Sequence, residues 1–383
     1  MFSKYIKLKN FSSRKKNLST NKNLKSLLNN KSDLIKSLGN NYKDNYNFKR
    51  IKKLTNKSEL IRIIGMGGSI LGAQTIYDFL NFKIKKKIIF KNNLSSNIKK
   101  NKEKITNLII SKSGNTIETI INSTLLIKKN DKNIFITQKN LNFLNNLAQK
   151  LKAEVIEHNN FIGGRYSVLS EVGMLPAQLM GLDVSSFRQL NSLVKNKSYM
   201  NSLISNVNSI LHYQRNKKYN SIIINYDEKS ENLFKWYQQL VAESLGKKSI
   251  GILPIISNMP KDNHSVMQLY LDGFKNNFFT FFFVNEENST RLNKKFYGEF
   301  NFLNMKNLNQ ILFNQKKATE NIFKKKKIPF RSFEVNFRSE KTLGEIFTFF
   351  ILETILLGKA LNVNPYDQPS VELIKNETKK LLI

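Results

Sequence analysis

Arg62-Ile63-Ile64-Gly65-Met66-Gly67-Gly68-Ser69-Ile70-Leu71-Gly72 is the stretch on which the fold turns. A short β-rich run ends in four glycines that fall within eight positions, in a chain that has only 16. A helical pattern follows at once. At such a strand-to-helix turn glycine lets the backbone approach a ligand closely, and the N–H groups and positive end of the helix favour an anion. The pattern lacks the last glycine of the dinucleotide fingerprint and has no Walker lysine. A purely structural tight turn is the plain alternative.

Outward from this point, β-rich runs alternate with helical stretches: Ile88-Ile89-Phe90, Leu108-Ile109-Ile110, Ile134-Phe135-Ile136 and Val155-Ile156. This alternation predicts a parallel sheet wrapped by helices. After a helical region near 203–211 a second series begins, with Ile222-Ile223-Ile224, then 250–256, 278–284 and 333–337 before a long apolar helix over 343–361. The expected fold class is α/β, with two doubly wound parallel-sheet domains, each of three α/β/α layers, plus a C-terminal helix. The expected division is a basic helical arm over 1–50, a first domain with the phosphate-binding loop over 51–200, a second over 201–362, and the last helix over 363–383.

A length of 383 residues, 40% of them hydrophobic, suffices for a sizeable core. The absence of cysteine excludes disulfides, thiolate metal sites and cysteine nucleophiles, and makes a reducing cytoplasm the natural setting. His158, His212 and His264 are far apart in sequence, so a zinc site is not expected either. The net charge of +35 points by itself to nucleic acid or an anionic membrane. Lys, Asn, Ile and Phe are raised along the whole chain, however, as codon bias in an AT-rich genome would produce. The cations gather into no tail and no aromatic-interleaved patch. Nucleic acid is therefore not the expected partner, and a bias toward anionic ligands is what remains. The apolar runs at 278–284 and 346–357 are too short or carry Glu353, so no membrane span is expected. The basic segment through Leu28 has no acid before Asp33, as in a transit peptide, but lacks an apolar core and cleavage site and reads as an arm or helix.

Chemistry-bearing residues gather at five places. Ser111-Lys112-Ser113-Gly114-Asn115-Thr116 follows a strand and opens a helix, and its hydroxyls, cation and glycine suit a phosphate monoester; an ordinary helix cap is the alternative. Gly163-Gly164-Arg165-Tyr166-Ser167 presents one arginine from two glycines, suited to an oxyanion unless it is a surface turn. Glu243 lies in the last turn of a helix that ends at Gly246, where the helix end disfavours the anion and makes a better proton acceptor. An i, i+4 pair with Lys247 would explain the position almost as well. His264 follows Asp262-Asn263 at an expected helix start and has the right residue type for proton transfer, though a lone histidine is more often structural. Pro369 is placed to begin the last helix, which aligns Gln368, Glu372 and Lys375 along one face.

Taken in this order, the segments resemble the phosphoglucose isomerase family, with its two sugar-isomerase (SIS) domains. The resemblance covers about residues 60–380. It is carried most strongly by Gly163-Gly164-Arg165-Tyr166-Ser167-Val168-Leu169-Ser170 and by Asn364-Pro365-Tyr366-Asp367-Gln368-Pro369-Ser370-Val371-Glu372-Leu373-Ile374-Lys375. It implies reversible aldose–ketose isomerisation of glucose 6-phosphate and fructose 6-phosphate, without metal or cofactor. Glu243 would be the base, Arg165 the stabiliser of the enediolate, and His264 and Lys375 would assist ring opening. Gly68, Ser69 and Gln368 would contact the sugar, while Ser111, Lys112, Ser113 and Thr116 would hold the phosphate. The resemblance also implies a homodimer with shared active sites, in which His264 reaches the neighbouring subunit's site. Other SIS-fold enzymes, a non-catalytic sugar-phosphate regulator and a nucleic-acid binder are the competing readings.

Overall fold

Among the residues that the computed structural model describes, 2–12, 18–30, 32–95, 103–128 and 130–383, ten strands form two five-stranded sheets. The first strand, β1 (Ile6–Lys9), belongs to the second sheet. β2 (Leu60–Gly65), β3 (Lys87–Lys91), β4 (Ile105–Ile110), β5 (Lys132–Thr137) and β6 (Glu154–Glu157) form the first sheet, in the order β3-β2-β4-β5-β6 and wholly parallel. β7 (Asn220–Asn225), β8 (Leu253–Asn258), β9 (Asn277–Val284) and β10 (Phe330–Val335) complete the second sheet, in the order β1-β10-β9-β7-β8. Its four later strands are parallel and β1 is antiparallel to β10.

The order β3-β2-β4-β5 recurs as β8-β7-β9-β10, so the two halves share one architecture without sharing sequence. In each, the chain leaves the first strand to one side and returns on the other. That reversal leaves a crevice at the carboxyl ends of neighbouring strands, where open α/β sheets place their ligands. In the first sheet the crevice lies between β2 and β4, and the glycine turn and the Ser111–Thr116 loop leave these two paired strands side by side, with Gly65 opposite Ile110.

Local sequence explains most elements. Every residue of β9 is buried, as a continuous Phe-rich run requires in a central parallel strand. The long apolar helix spans Glu340–Ala360 and residues 342–358 are buried, as expected of a helix that is apolar all round. It packs beside the Glu231–Leu245 helix through Trp236 on Phe347 at 4.8 Å and Tyr237 on Phe350 at 4.6 Å. Its Glu353 forms a deeply buried charged pair with Arg331, whose Nη2 donates to Oε1 at 3.0 Å. No described helix is long and apolar enough to cross a membrane.

The expected strands at 250–256 and 333–337 lie at Leu253–Asn258 and Phe330–Val335. The first starts late because residues 247–250 form a tight turn. The helix expected near 203–211 runs longer, over Lys197–Arg215. The basic arm holds helices at Leu18–Asn29, Asp33–Ser37 and, reaching past residue 50, Phe48–Thr55, and it also supplies β1, which the sequence reading did not anticipate.

Candidate active site

Two glycine motifs meet first. A Cβ built on Gly68 would lie 2.3 Å from the Gly164 carbonyl carbon, so only glycine lets the turn after β2 rest on the Gly164–Arg165 backbone. This contact sets Arg165 at the mouth of the crevice. The Gly164–Leu169 segment is a 3₁₀ turn, and the indole Nε1 of Trp236 donates to the Arg165 carbonyl at 3.1 Å.

The Arg165 side chain is buried, and its guanidinium is fully engaged. Nε donates to Ser244 Oγ at 2.8 Å, and Nη1 donates to Gln368 Oε1 at 2.7 Å and Glu243 Oε2 at 3.2 Å. Nη2 donates to the carbonyls of Pro365 at 2.6 Å and Asp367 at 3.0 Å. One side chain thus ties the Gly163-Gly164 motif to the end of the Glu231–Leu245 helix and to the segment before the last helix. The planar fork of arginine fits such a set of acceptors where a lysine could not.

Glu243 holds its other oxygen against Gln239, whose Nε2 donates to Oε1 at 2.9 Å. The carboxylate is about a quarter exposed at 28%, so it is oriented from both sides and still open to a ligand. The i, i+4 pair with Lys247, the alternative to a proton-accepting role, does not form: Lys247 Nζ bonds the main-chain carbonyl of Glu243 at 2.9 Å and pairs with Asp367 at 3.3 Å. A cleft of about 560 Å³ opens beside Glu243, lined also by Gly67, Leu71, Asn232, Lys235 and Gln239. A larger cavity of about 740 Å³ lies at the opposite, amino ends of β4 and β5 and is lined by none of the candidate site residues.

In the other loop Ser111 Oγ lies 3.0 Å from Thr116 Oγ1. Thr116 stands at the cap position of the Ile117–Leu126 helix, yet its side chain makes no capping bond, so the first-turn N–H groups are left to another acceptor. Gly114 has φ +66°, and a Cβ there would meet Asn142 Oδ1 at 2.1 Å. Ser113 Oγ accepts from the Asn115 amide at 3.3 Å, and Lys112 Nζ donates to the Asn160 carbonyl at 2.9 Å. Burial, with a smaller push from the Arg165 charge, holds the Lys112 ammonium below the usual lysine range. The two cations therefore share one electrostatic region.

The structure brings Arg165, Glu243 and Gln368 into direct contact, with Gly68 behind them and Ser69 in the same 3₁₀ turn, Gly67–Ser69. His264 and Lys375 stand apart. His264, itself exposed, ends a 3₁₀ turn, Lys261–His264, after β8, and its ring hydrogen-bonds to nothing among the described residues. The helix expected to start there begins instead at Met267. Lys375 lies on the wholly exposed helix Pro369–Leu381 and pairs with Glu372 at 2.6 Å. Sequence reasoning missed Gln239, Ser244 and Tyr166. Gln239 sits four residues before Glu243, a spacing that shares one helix face and could have disclosed it. Tyr166 donates to the Pro365 carbonyl at 2.9 Å and lies 2.8 Å from Ser244 Oγ. Burial pushes its phenol up to about 12, so it stays a donor near neutrality.

Comparison with known proteins follows the same lines. The family described as phosphoglucose isomerase matches residues 11–253. Glucose-6-phosphate isomerase of Methanocaldococcus jannaschii is 32% identical over 350 residues, 84% of this chain and 83% of its own. The enzyme of that name from Mycoplasmopsis pulmonis is 32% identical over 357 residues, 85% and 83% of the two chains. Among solved structures, a hypothetical protein from Thermus thermophilus superposes with a TM-score of 0.83 at 20% identity, over 95% and 94% of the chains. A glucose-6-phosphate isomerase from Chlamydia trachomatis gives 0.67 at 18% identity, over 91% and 72%. The structural likenesses establish the shared fold. With a family match over more than half its residues and identity carried along most of its length, the chain belongs to the phosphoglucose isomerase family.

Proposed function

We propose that the protein is a glucose-6-phosphate isomerase, interconverting glucose 6-phosphate and fructose 6-phosphate in the cytoplasm, a setting that suits a chain without cysteine. The observation that carries this reading is the contact of Glu243 with Arg165, a carboxylate and a cation held 3.2 Å apart beside a cleft. Aldose–ketose isomerisation needs that pair. The carboxylate removes the proton from C2 of the open-chain aldose, the C1 carbonyl oxygen takes up negative charge, and a cis-enediolate forms. Returning the proton to C1 and moving the hydroxyl proton from O2 to O1 gives the ketose.

Arg165 stabilises the charge on the enediolate oxygens, a kind of partner whose loss typically costs about 3–4 kcal/mol of barrier. Gln239 fixes the carboxylate, and Gln368 orients the sugar. Ser111, Lys112, Ser113 and Thr116 hold the phosphate at the helix start, and Gly68 and Ser69 line the other side of the sugar. His264, exposed on its own chain, opens the sugar ring in the neighbouring subunit of a homodimer, with Lys375 assisting at the same end.

The test is a coupled assay of purified protein, following glucose 6-phosphate formed from fructose 6-phosphate. Turnover is expected. Binding of the sugar phosphate with no turnover would contradict the proposal and favour a regulatory role or another sugar phosphate.

A further inference from the structure

The turn after the Glu231–Leu245 helix is unusual in its backbone. Lys247 and Ile250 exchange N–H to carbonyl bonds at 3.0 Å in each direction, and the two residues between them, Lys248 and Ser249, have φ of +52° and +58°. Two successive left-handed residues, neither of them glycine, are costly, so the surrounding structure must over-determine this turn. Its product is the placement of Lys247.

The Lys247 side chain is only 12% exposed, which is low for a lysine. Its ammonium folds back on the helix it follows and donates to the carbonyls of Glu243 and Ser244, each at 2.9 Å. These are last-turn carbonyls that have no intrahelical donor. The same ammonium donates to the Asn364 carbonyl at 2.7 Å and pairs with Asp367 Oδ1 at 3.3 Å. The 364–368 segment is in turn braced internally, by Asn364 Nδ2 to Asp367 Oδ2 at 2.9 Å and the Tyr366 amide to Asn364 Oδ1 at 3.0 Å. Its Pro365 and Asp367 carbonyls and the Gln368 side chain all accept from Arg165.

We propose that Lys247 is a positioning residue for the reaction: it locks the last turn of the base helix to the 364–368 segment, so that Glu243 and Gln368 keep one spacing across Arg165. The proposal rests on the isomerase reading above. Lys247 acts through Glu243 and Gln368, and because its ammonium is taken up by main-chain carbonyls and Asp367, the Glu243 carboxylate remains available to substrate.

A Lys247→Met variant keeps the aliphatic stem and removes the charge and all four contacts. Displacement of a reacting group by about 1 Å costs on the order of 100-fold in rate. The expected result is a kcat lowered by roughly 10- to 100-fold with KM within about threefold, because the phosphate loop is untouched. Lys247→Arg, which keeps charge and donors, should recover most of kcat. Amide exchange at residues 366–368, followed by mass spectrometry, should become faster in Lys247→Met and stay slow in Lys247→Arg. If Lys247→Met does not fold, Asp367→Asn, which removes the loop's charge from the ion pair while keeping an amide oxygen that can accept from Asn364, is measured by the same two readouts. Wild-type kcat with unchanged exchange in the folded variant would overturn the proposal, as would a loss that Arg fails to recover. If the wild type does not interconvert the two sugars, the isomerase reading falls on that control alone, and the exchange measurement still decides whether Lys247 makes the lock.

Discussion

Arg165 Nη1 lies 3.2 Å from Glu243 Oε2, and the same nitrogen lies 2.7 Å from Gln368 Oε1. A buried cation is thus shared between a partly exposed carboxylate and a neutral amide, and each holds the other two in place. The arrangement suits a reaction in which the carboxylate gains a proton while negative charge appears on a substrate oxygen nearby.

Replacing Arg165 by lysine keeps the charge and loses the fork. At least two of the five acceptors would lose the bond from Arg165; the Pro365 carbonyl keeps its Tyr166 donor, whereas the part-buried Asp367 carbonyl would lose its Arg165 donor. We expect Arg165→Lys to lower kcat by about 10²- to 10³-fold, with a smaller effect on KM, read by steady-state kinetics.

Gly68→Ala probes the contact between the two glycine motifs. The added methyl would sit 2.3 Å from the Gly164 carbonyl carbon and 2.5 Å from the Arg165 amide, both of them backbone. The two segments must part, and Arg165 must move with them. A loss of about 1–3 kcal/mol of stability in a denaturant titration, together with a marked fall in kcat, is the expected outcome.

Away from the site, a buried carboxyl makes stability depend on pH. Burial pushes the Glu345 carboxyl up to about 7, against the downward pulls of the Ser3 hydroxyl, which donates to it at 2.5 Å, and of the Lys341 charge. Between the ordinary value of 4.5 and about 7 the folded protein keeps a proton that the unfolded chain has released. This contribution to stability is therefore complete below pH 4.5 and is lost as the pH rises towards 7, by roughly 3 kcal/mol. Glu345→Gln should leave stability at pH 4.5 nearly unchanged and raise it at pH 8; equal effects at both would contradict the assignment.

Much of this was legible because local pattern and tertiary role agree. The glycines after β2, the Phe run of β9 and the apolar helix Glu340–Ala360 all announce their places through composition alone. β1 did not, because four residues reading Ile6-Lys7-Leu8-Lys9 inside a lysine-rich segment look like the rest of that segment, and only pairing with β10 gives them an identity. The late start of β8 was equally hidden. Lys248 and Ser249 carry no turn signal, and Pro254 is tolerated because β8 is an edge strand. In the site, Arg165, Glu243 and Gln368 are far apart in sequence and each was readable as a residue type. That one guanidinium would join all three depended on how the two halves pack, which no local pattern encodes. His264 and Lys375 show the converse: their types were legible, and the folded chain leaves both on the surface.

The most direct test of Glu243 as the base uses fructose 6-phosphate in deuterated water, followed by proton NMR, with the wild type and Glu243→Gln. With Glu243 as the base, deuterium enters at C2 of the glucose 6-phosphate formed. The variant is expected to lose both exchange and turnover by roughly 10²- to 10⁴-fold while still binding the sugar phosphate. A Glu243→Gln protein that exchanges and isomerises at the wild-type rate would contradict that role.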